Sequence, residues 1–267
     1  MSVMVRGAIV RWCARRCEGT TCRGVAVLLI LVLVLPLVAA GQGRRQSRQT
    51  TATVDYDSHF VFTRIRYGSG LGGFGGGSWA HDYPMADRNL AAILDYISNM
   101  RVRLDGTNVY DLDDPGIFEN PIIYVSEPGS WAIRPSEAEN LRKHLLKGGF
   151  IIFDDFEGDR DWRNLTAQMA RALPEHRFVP ITVDHPIFHS FFDIQRLDVP
   201  HPLVNVIPGY LAIFEDNDPS KRMIALANWN NDLAEYWEWS AEGLFNPDPT
   251  NDAYRLGVNY IVYAMTH

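Results

Sequence analysis

Cysteine is nearly missing from this chain. Its 267 residues include three, Cys13, Cys17 and Cys22, and none beyond them. Disulfide staples, a cysteine nucleophile and thiolate metal sites are therefore excluded from everything downstream. No Gly-x-Ser-x-Gly occurs, so the serine elbow of α/β-hydrolases is absent as well. Basic charge is also short: 25 Lys and Arg against 32 Asp and Glu leave a formal net charge of −7. With no basic stripe in the body, a nucleic-acid partner is not expected.

What is present begins with a targeting pattern. Arg6, Arg11, Arg15, Arg16 and Arg23, opposed only by Glu18, precede the apolar run Val25–Val38. Small residues, Val38-Ala39-Ala40, then lead into Gly41. A basic start, an apolar centre of about 14 residues and a small-residue cleavage site are the physical grammar of a signal peptide. The run falls short of the roughly 20 residues a spanning helix needs. Residues 1–40 are thus read as a signal peptide, with an N-terminal anchor over 25–40 as the alternative. Export to the periplasm or the extracellular space is expected, with membrane contact only through this segment if it stays uncleaved. Residues 41–58, rich in Gln, Arg and Thr, read as a disordered linker. Residues 59–267 read as one α/β domain.

The body is organised around Phe150–Phe153. This apolar quartet follows Gly148-Gly149 and gives way at once to Asp154, Asp155, Glu157, Asp159 and Asp161. A short apolar run between a helix stop and a polar loop predicts a buried parallel strand. Phe60–Tyr67, Asn108–Tyr110, Pro121–Val125 and Phe178–Val183 are read as further strands. Leu90, Ile93, Leu94 and Ile97 have the spacing of one buried helix face behind Asp87, a candidate cap. Pro135 is placed at a helix start, with Ser136 and Glu139 as a capping box. Helices between strands predict a mostly parallel central sheet with helices on both faces. Tyr210–Phe214 and Met223–Ala227 predict an antiparallel hairpin at one edge, and Asp252–Ala264 a closing helix. The glycine run 68–77 contains Gly-x-Gly-x-x-Gly at Gly68, Gly70 and Gly73, but no helix opens there, so it reads as a surface loop.

Ligands in such sheets bind where the parallel strands end. Asp155 is therefore the leading catalytic candidate, as general base, metal ligand or nucleophile. His185, just past the next expected strand, is placed to face it. Asp154, Glu157, His81, Asp82, His189 and Trp79 are the candidate binding residues on that face. No resident cofactor is implied. A divalent metal would need Asp155 and His185 with Asp82, His81 or His189. The bland alternatives are that Asp154 or Asp155 caps the next loop, and that His185 holds its own loop. Trp229, Trp237 and Trp239 are either core or a sugar platform.

Three segments also carry a resemblance. Gly-Gly-Phe-Ile-Ile-Phe-Asp-Asp-Phe (148–156), Asp-His-Pro-Ile-Phe (184–188) and Asp82-Tyr83-Pro84 with Asn89-Leu90 together resemble the bacterial family labelled domain of unknown function 4159. The resemblance spans about residues 58–266. It implies a flavodoxin-like, class I glutamine amidotransferase-like scaffold and an envelope setting. In amidotransferase-like enzymes a cysteine follows the central strand. Asp154-Asp155 stands there instead, which removes glutaminase chemistry. Two functions follow. The preferred expectation is a non-catalytic envelope module that binds a protein partner or glycan. The alternative is a hydrolase, metal-assisted or not, built on Asp155 and His185.

Overall fold

A computed structural model of the chain describes residues 53–54, 57–68 and 78–267. The expected signal peptide, nearly all of the linker and the glycine run from residue 69 to 77 lie outside the described residues. Seven strands form one sheet: β1 (Thr63–Ile65), β2 (Asn108–Tyr110), β3 (Ile122–Ser126), β4 (Phe150–Asp154), β5 (Val179–Pro180), β6 (Gly209–Phe214) and β7 (Met223–Trp229), in the order β2-β1-β3-β4-β7-β6-β5. β2, β1, β3, β4 and β7 run parallel, while β6 and β5 are antiparallel additions at one edge. The helices are α1 (Met85–Ile97), α2 (Pro135–Leu146), α3 (Gly158–Ala172), α4 (Leu233–Glu238) and α5 (Pro247–Thr266).

The central strand is the apolar quartet. Every residue of β3 and β4 is buried, and their side chains alternate between two cores. Ile122, Tyr124, Phe150 and Ile152 join Leu90 and Leu94 of α1 and Leu256 and Tyr260 of α5 on one face. Ile123, Val125, Ile151 and Phe153 meet Leu141 and Leu145 of α2 and Leu165 and Met169 of α3 on the other. The pleat accounts for this alternation, and helices must cover both faces because neither can meet water. Each such side chain contributes roughly 1.5–3 kcal/mol on burial. Gly148, at φ 113, ends α2 in backbone that only glycine adopts freely, which turns the chain into β4.

Local chemistry departs from expectation at two helix starts. α2 begins at Pro135, but Glu137 closes its first turn by accepting from the Arg134 amide at 2.6 Å. With Arg134 as the flanking residue, the box partner three positions on is Glu137 rather than Glu139. Asp87 does not cap α1. It lies in the first turn, fully buried, paired with Arg64 of β1.

The segment 178–183 supplies only the two residues of β5, at the sheet's outer edge. β7 occupies the place beside β4, with Ile152 opposite Leu226. That ordering decides where the candidate residues fall.

An acidic cleft at the carboxyl ends of the parallel strands

The double aspartate splits into two roles. Asp154, the last residue of β4, is wholly buried and fully bonded. Its Oδ2 accepts from the Tyr124 hydroxyl at 2.8 Å and from the Leu233 and Ala234 amides at 2.9 and 3.1 Å; Oδ1 accepts from Asn228 at 2.9 Å. It ties the start of α4 to the central strand. Burial, against these bonds, pushes its carboxyl up to about 6.

Asp155 follows at φ 61, which turns its side chain out of the strand. Its Oδ2 meets His81 Nδ1 at 2.7 Å and accepts from the Ser126 hydroxyl at 3.1 Å. Left-handed backbone recurs around the same place, at Asp82 (φ 60), Glu127 (φ 46) and Asn230 (φ 57). Each such non-glycine residue costs roughly 1 kcal/mol or more, and clustering of this kind is usual at functional sites.

His81 reaches Asp155 because its loop is anchored from below. Arg64, with no exposed surface, donates to the His81 carbonyl at 2.6 Å and the Trp79 carbonyl at 3.0 Å. The same guanidinium forks onto Asp87 at 2.6 and 3.3 Å. Removing one partner of such a buried pair costs roughly 3–5 kcal/mol. The His81 ring stays 42 % exposed. The hydrogen bond to Asp155, outweighing burial, raises its pKa to about 10.

Around this pair lie more carboxylates than a single histidine can balance. Asp82 Oδ2 is 3.6 Å and Glu127 Oε1 3.7 Å from His81 Nδ1. Asp232, Glu235 and Glu238 close in from α4 and its flank. Asp82 stands apart from the rest. Its side chain has no exposed surface, and among the described residues neither oxygen has a hydrogen-bond donor. Burial pushes the carboxyls of Asp82, Asp232, Glu127 and Glu238 up, and neighbouring carboxylates add to the shift at each. Ligand atoms within 4.8 Å of one another occur in three sets: His81, Asp82 and Asp155; His81, Asp232 and Glu235; and Asp82, Glu235 and Glu238. Oxygen-rich sets with one imidazole suit Mn²⁺, Mg²⁺ or Zn²⁺. The cleft above them has a volume of about 330 Å³, with His201, Leu203 and Val204 on one wall.

Of the residues picked out from sequence, His81, Asp82 and Asp155 meet here and Glu157 lines the cleft. Burial, then Asp161 and Asp155, raises the Glu157 carboxyl. Trp79 packs on Tyr83 with ring centroids 5.8 Å apart and against the core on the α2 and α3 face, and it is not among the residues that line the cleft. His185 does not face Asp155. Its ring packs 5.6 Å from Phe214 and 5.8 Å from Tyr263, and its Nδ1 accepts from the Ile187 amide at 3.2 Å. Phe214 pairs with Met223 at the amino end of β7, so His185 lies at the opposite end of the sheet. The physical reason is the strand order: β5 joins the antiparallel edge instead of neighbouring β4. His189 holds its own loop through Asp193 at 2.6 Å and the Val183 carbonyl at 2.7 Å. Trp237 is buried against Tyr124, and Trp229 packs on Trp162; both serve the cores.

Sequence reasoning missed Asp232, Glu235, Glu238 and His201 as site residues. The spacing Asp232-x-x-Glu235-x-x-Glu238 was the available signal, since three-residue steps put acids on one helix face. Among the described residues no helix is long and apolar enough to cross a membrane.

Two comparisons bear on this chain. The family model described as Domain of unknown function (DUF4159) matches residues 61–265. No curated protein matches the chain.

Proposed function

This chain belongs to the DUF4159 family, and we propose that its strand-end cleft is a cation-dependent hydrolytic centre in which His81, Asp82 and Asp155 hold a divalent metal. The observation that carries this reading is Asp82. Among the described residues neither of its oxygens has a donor, and a carboxylate so removed from water is costly unless a cation or a proton compensates it. Among the two functions open from sequence, this favours the hydrolase over the passive module, with His81 in the place expected of His185.

A bound divalent ion would supply Lewis acidity and a water acidified toward neutral pH. The chain's own groups do the rest. Arg64 fixes the His81 loop through two carbonyls. Ser126 fixes Asp155. Glu127, whose side chain is 36 % exposed at the cleft mouth, is placed to accept a proton from an attacking water. The basic, apolar leader and the export it implies make the substrate or partner an envelope protein or glycan.

The test is turnover of chromogenic ester and phosphodiester probes by the metal-stripped full-length chain, with and without Mn²⁺. Turnover restored by Mn²⁺ and reduced roughly 100-fold or more in Asp155→Asn is expected. Turnover indifferent to chelation, or unchanged in the variant, overturns the reading. Export is tested separately by fusing residues 1–45 to alkaline phosphatase, which is active only outside the cytoplasm.

A further inference from the structure

Asp82 belongs to two ligand sets at once. One contains His81 and Asp155, and the other contains Glu235 and Glu238. Among the described residues neither of its oxygens has a donor, so both are open to a cation. A single cation on the His81 side leaves the second set uncompensated. Three carboxylates with ligand atoms inside 4.8 Å would still share a mostly buried space. Like charges at that range repel, and a cation between them removes the repulsion.

The second set is also built in advance. Glu235 and Glu238 lie three residues apart on α4, hence on one face. The start of α4 is tied to the central strand by Asp154, through the Leu233 and Ala234 amides, and is capped by Asp232, which accepts from the Glu235 amide at 3.0 Å. Its end is held by Asn89 of α1, which donates to the Trp237 and Glu238 carbonyls at 2.8 and 3.3 Å. These bonds fix the helix but leave its acidic face directed at Asp82.

We propose that the acidic cluster beneath the cleft holds two divalent cations, with Asp82 bridging them: one on His81 and Asp155, the other on Glu235 and Glu238. This rests on the cation reading of the cleft. Hard ions with oxygen-rich shells, such as Mn²⁺ or Mg²⁺, are the class that fits the second position, because it offers carboxylates alone. Paired ions sharing a bridging carboxylate sit about 3.5–4 Å apart and clamp both the attacking and the leaving oxygen of a displacement.

The test is Mn²⁺ titration of the metal-stripped full-length chain by calorimetry, followed by electron paramagnetic resonance of the loaded protein. Two Mn²⁺ per chain with an exchange-coupled spectrum are expected. Glu238→Gln is expected to halve the stoichiometry and return the six-line spectrum of an isolated ion. Glu235→Gln, whose folding is checked by circular dichroism, provides the same readout should the first variant be unstable. One Mn²⁺ per chain in the unaltered protein overturns the second position and leaves the hydrolytic reading standing. Two uncoupled ions that persist in both variants also overturn it. No bound Mn²⁺ overturns both.

Discussion

The two ends of the sheet treat polar groups in opposite ways. At the amino end, Arg222 donates to the Leu145 and Gly149 carbonyls at 2.7 and 2.9 Å, closing the end of α2, and pairs with Glu215 at 2.7 Å. The Arg222 charge is matched. Among the described residues the Nε2 of His144 is left without a partner at that end, and burial pushes that ring down to about 4, toward the uncharged form. At the carboxyl end, Asp154 is saturated while Asp82 is left with two donor-free oxygens among further acids. One end spends its polar groups on architecture. The other retains unmatched charge, which is where a ligand gains most by arriving.

The comparison breaks most visibly at Asp154. Asp154→Ala strips the bonds from Tyr124, Asn228 and two α4 amides, and a loss of about 3–5 kcal/mol is expected from urea unfolding. A loss under about 1 kcal/mol would mean that the saturated aspartate is not structural.

His144 tests the amino end. Its folded pKa lies below the ordinary 6.5, so folding favours the neutral ring. The stability this confers is fully present above about pH 6.5 and is lost as pH falls toward 4, because the unfolded chain takes up the proton first. The span is on the order of 3 kcal/mol. His144→Phe is expected to flatten that part of the stability-against-pH curve; an unchanged slope would assign it to other groups.

Asp82→Asn sharpens the contrast with the opposite sign. Asparagine keeps the shape, tolerates left-handed backbone and removes the uncompensated charge. The metal-free variant is expected to be more stable by about 1 kcal/mol and to lose the melting shift that Mn²⁺ gives the unaltered protein. Lower stability with the shift intact would count against an uncompensated carboxylate.

The smallest effect belongs to His185→Gln, which sits across the sheet. Its Mn²⁺-induced melting shift is expected to equal that of the unaltered chain. Loss of the shift would place His185 in the cation site.

Much of this frame was legible in the sequence. Phe150–Phe153 behind two glycines announced a buried central strand, and Leu90 with Leu94 announced the inward face of α1. The hairpin of β6 and β7 was readable from its two apolar runs. Strand order was not, because a run that pairs with β4 and one that pairs with β6 look alike as isolated segments. One clue existed: Pro180 interrupts the run 178–183, and proline inside a strand belongs at an edge. Using it would have removed His185 from the site. Asp155 was readable as a strand-end acid, and His81 and Asp82 as residues on the same face. The deficit at Asp82 was not readable, because it depends on which donors fail to arrive, and only packing decides that. Glu235 and Glu238 were obscured by the tryptophans beside them, in a helix of 6 residues too short to announce itself by periodicity.

The central claim is that unmatched charge at the carboxyl end holds metal. Anomalous diffraction at the manganese edge, from crystals of the chain grown with Mn²⁺, tests it most directly. The account predicts a peak about 2.0–2.6 Å from His81 and from the carboxylate oxygens of Asp82 and Asp155. An empty cleft, with manganese only on exposed acids such as Asp193 and Asp216, would contradict it.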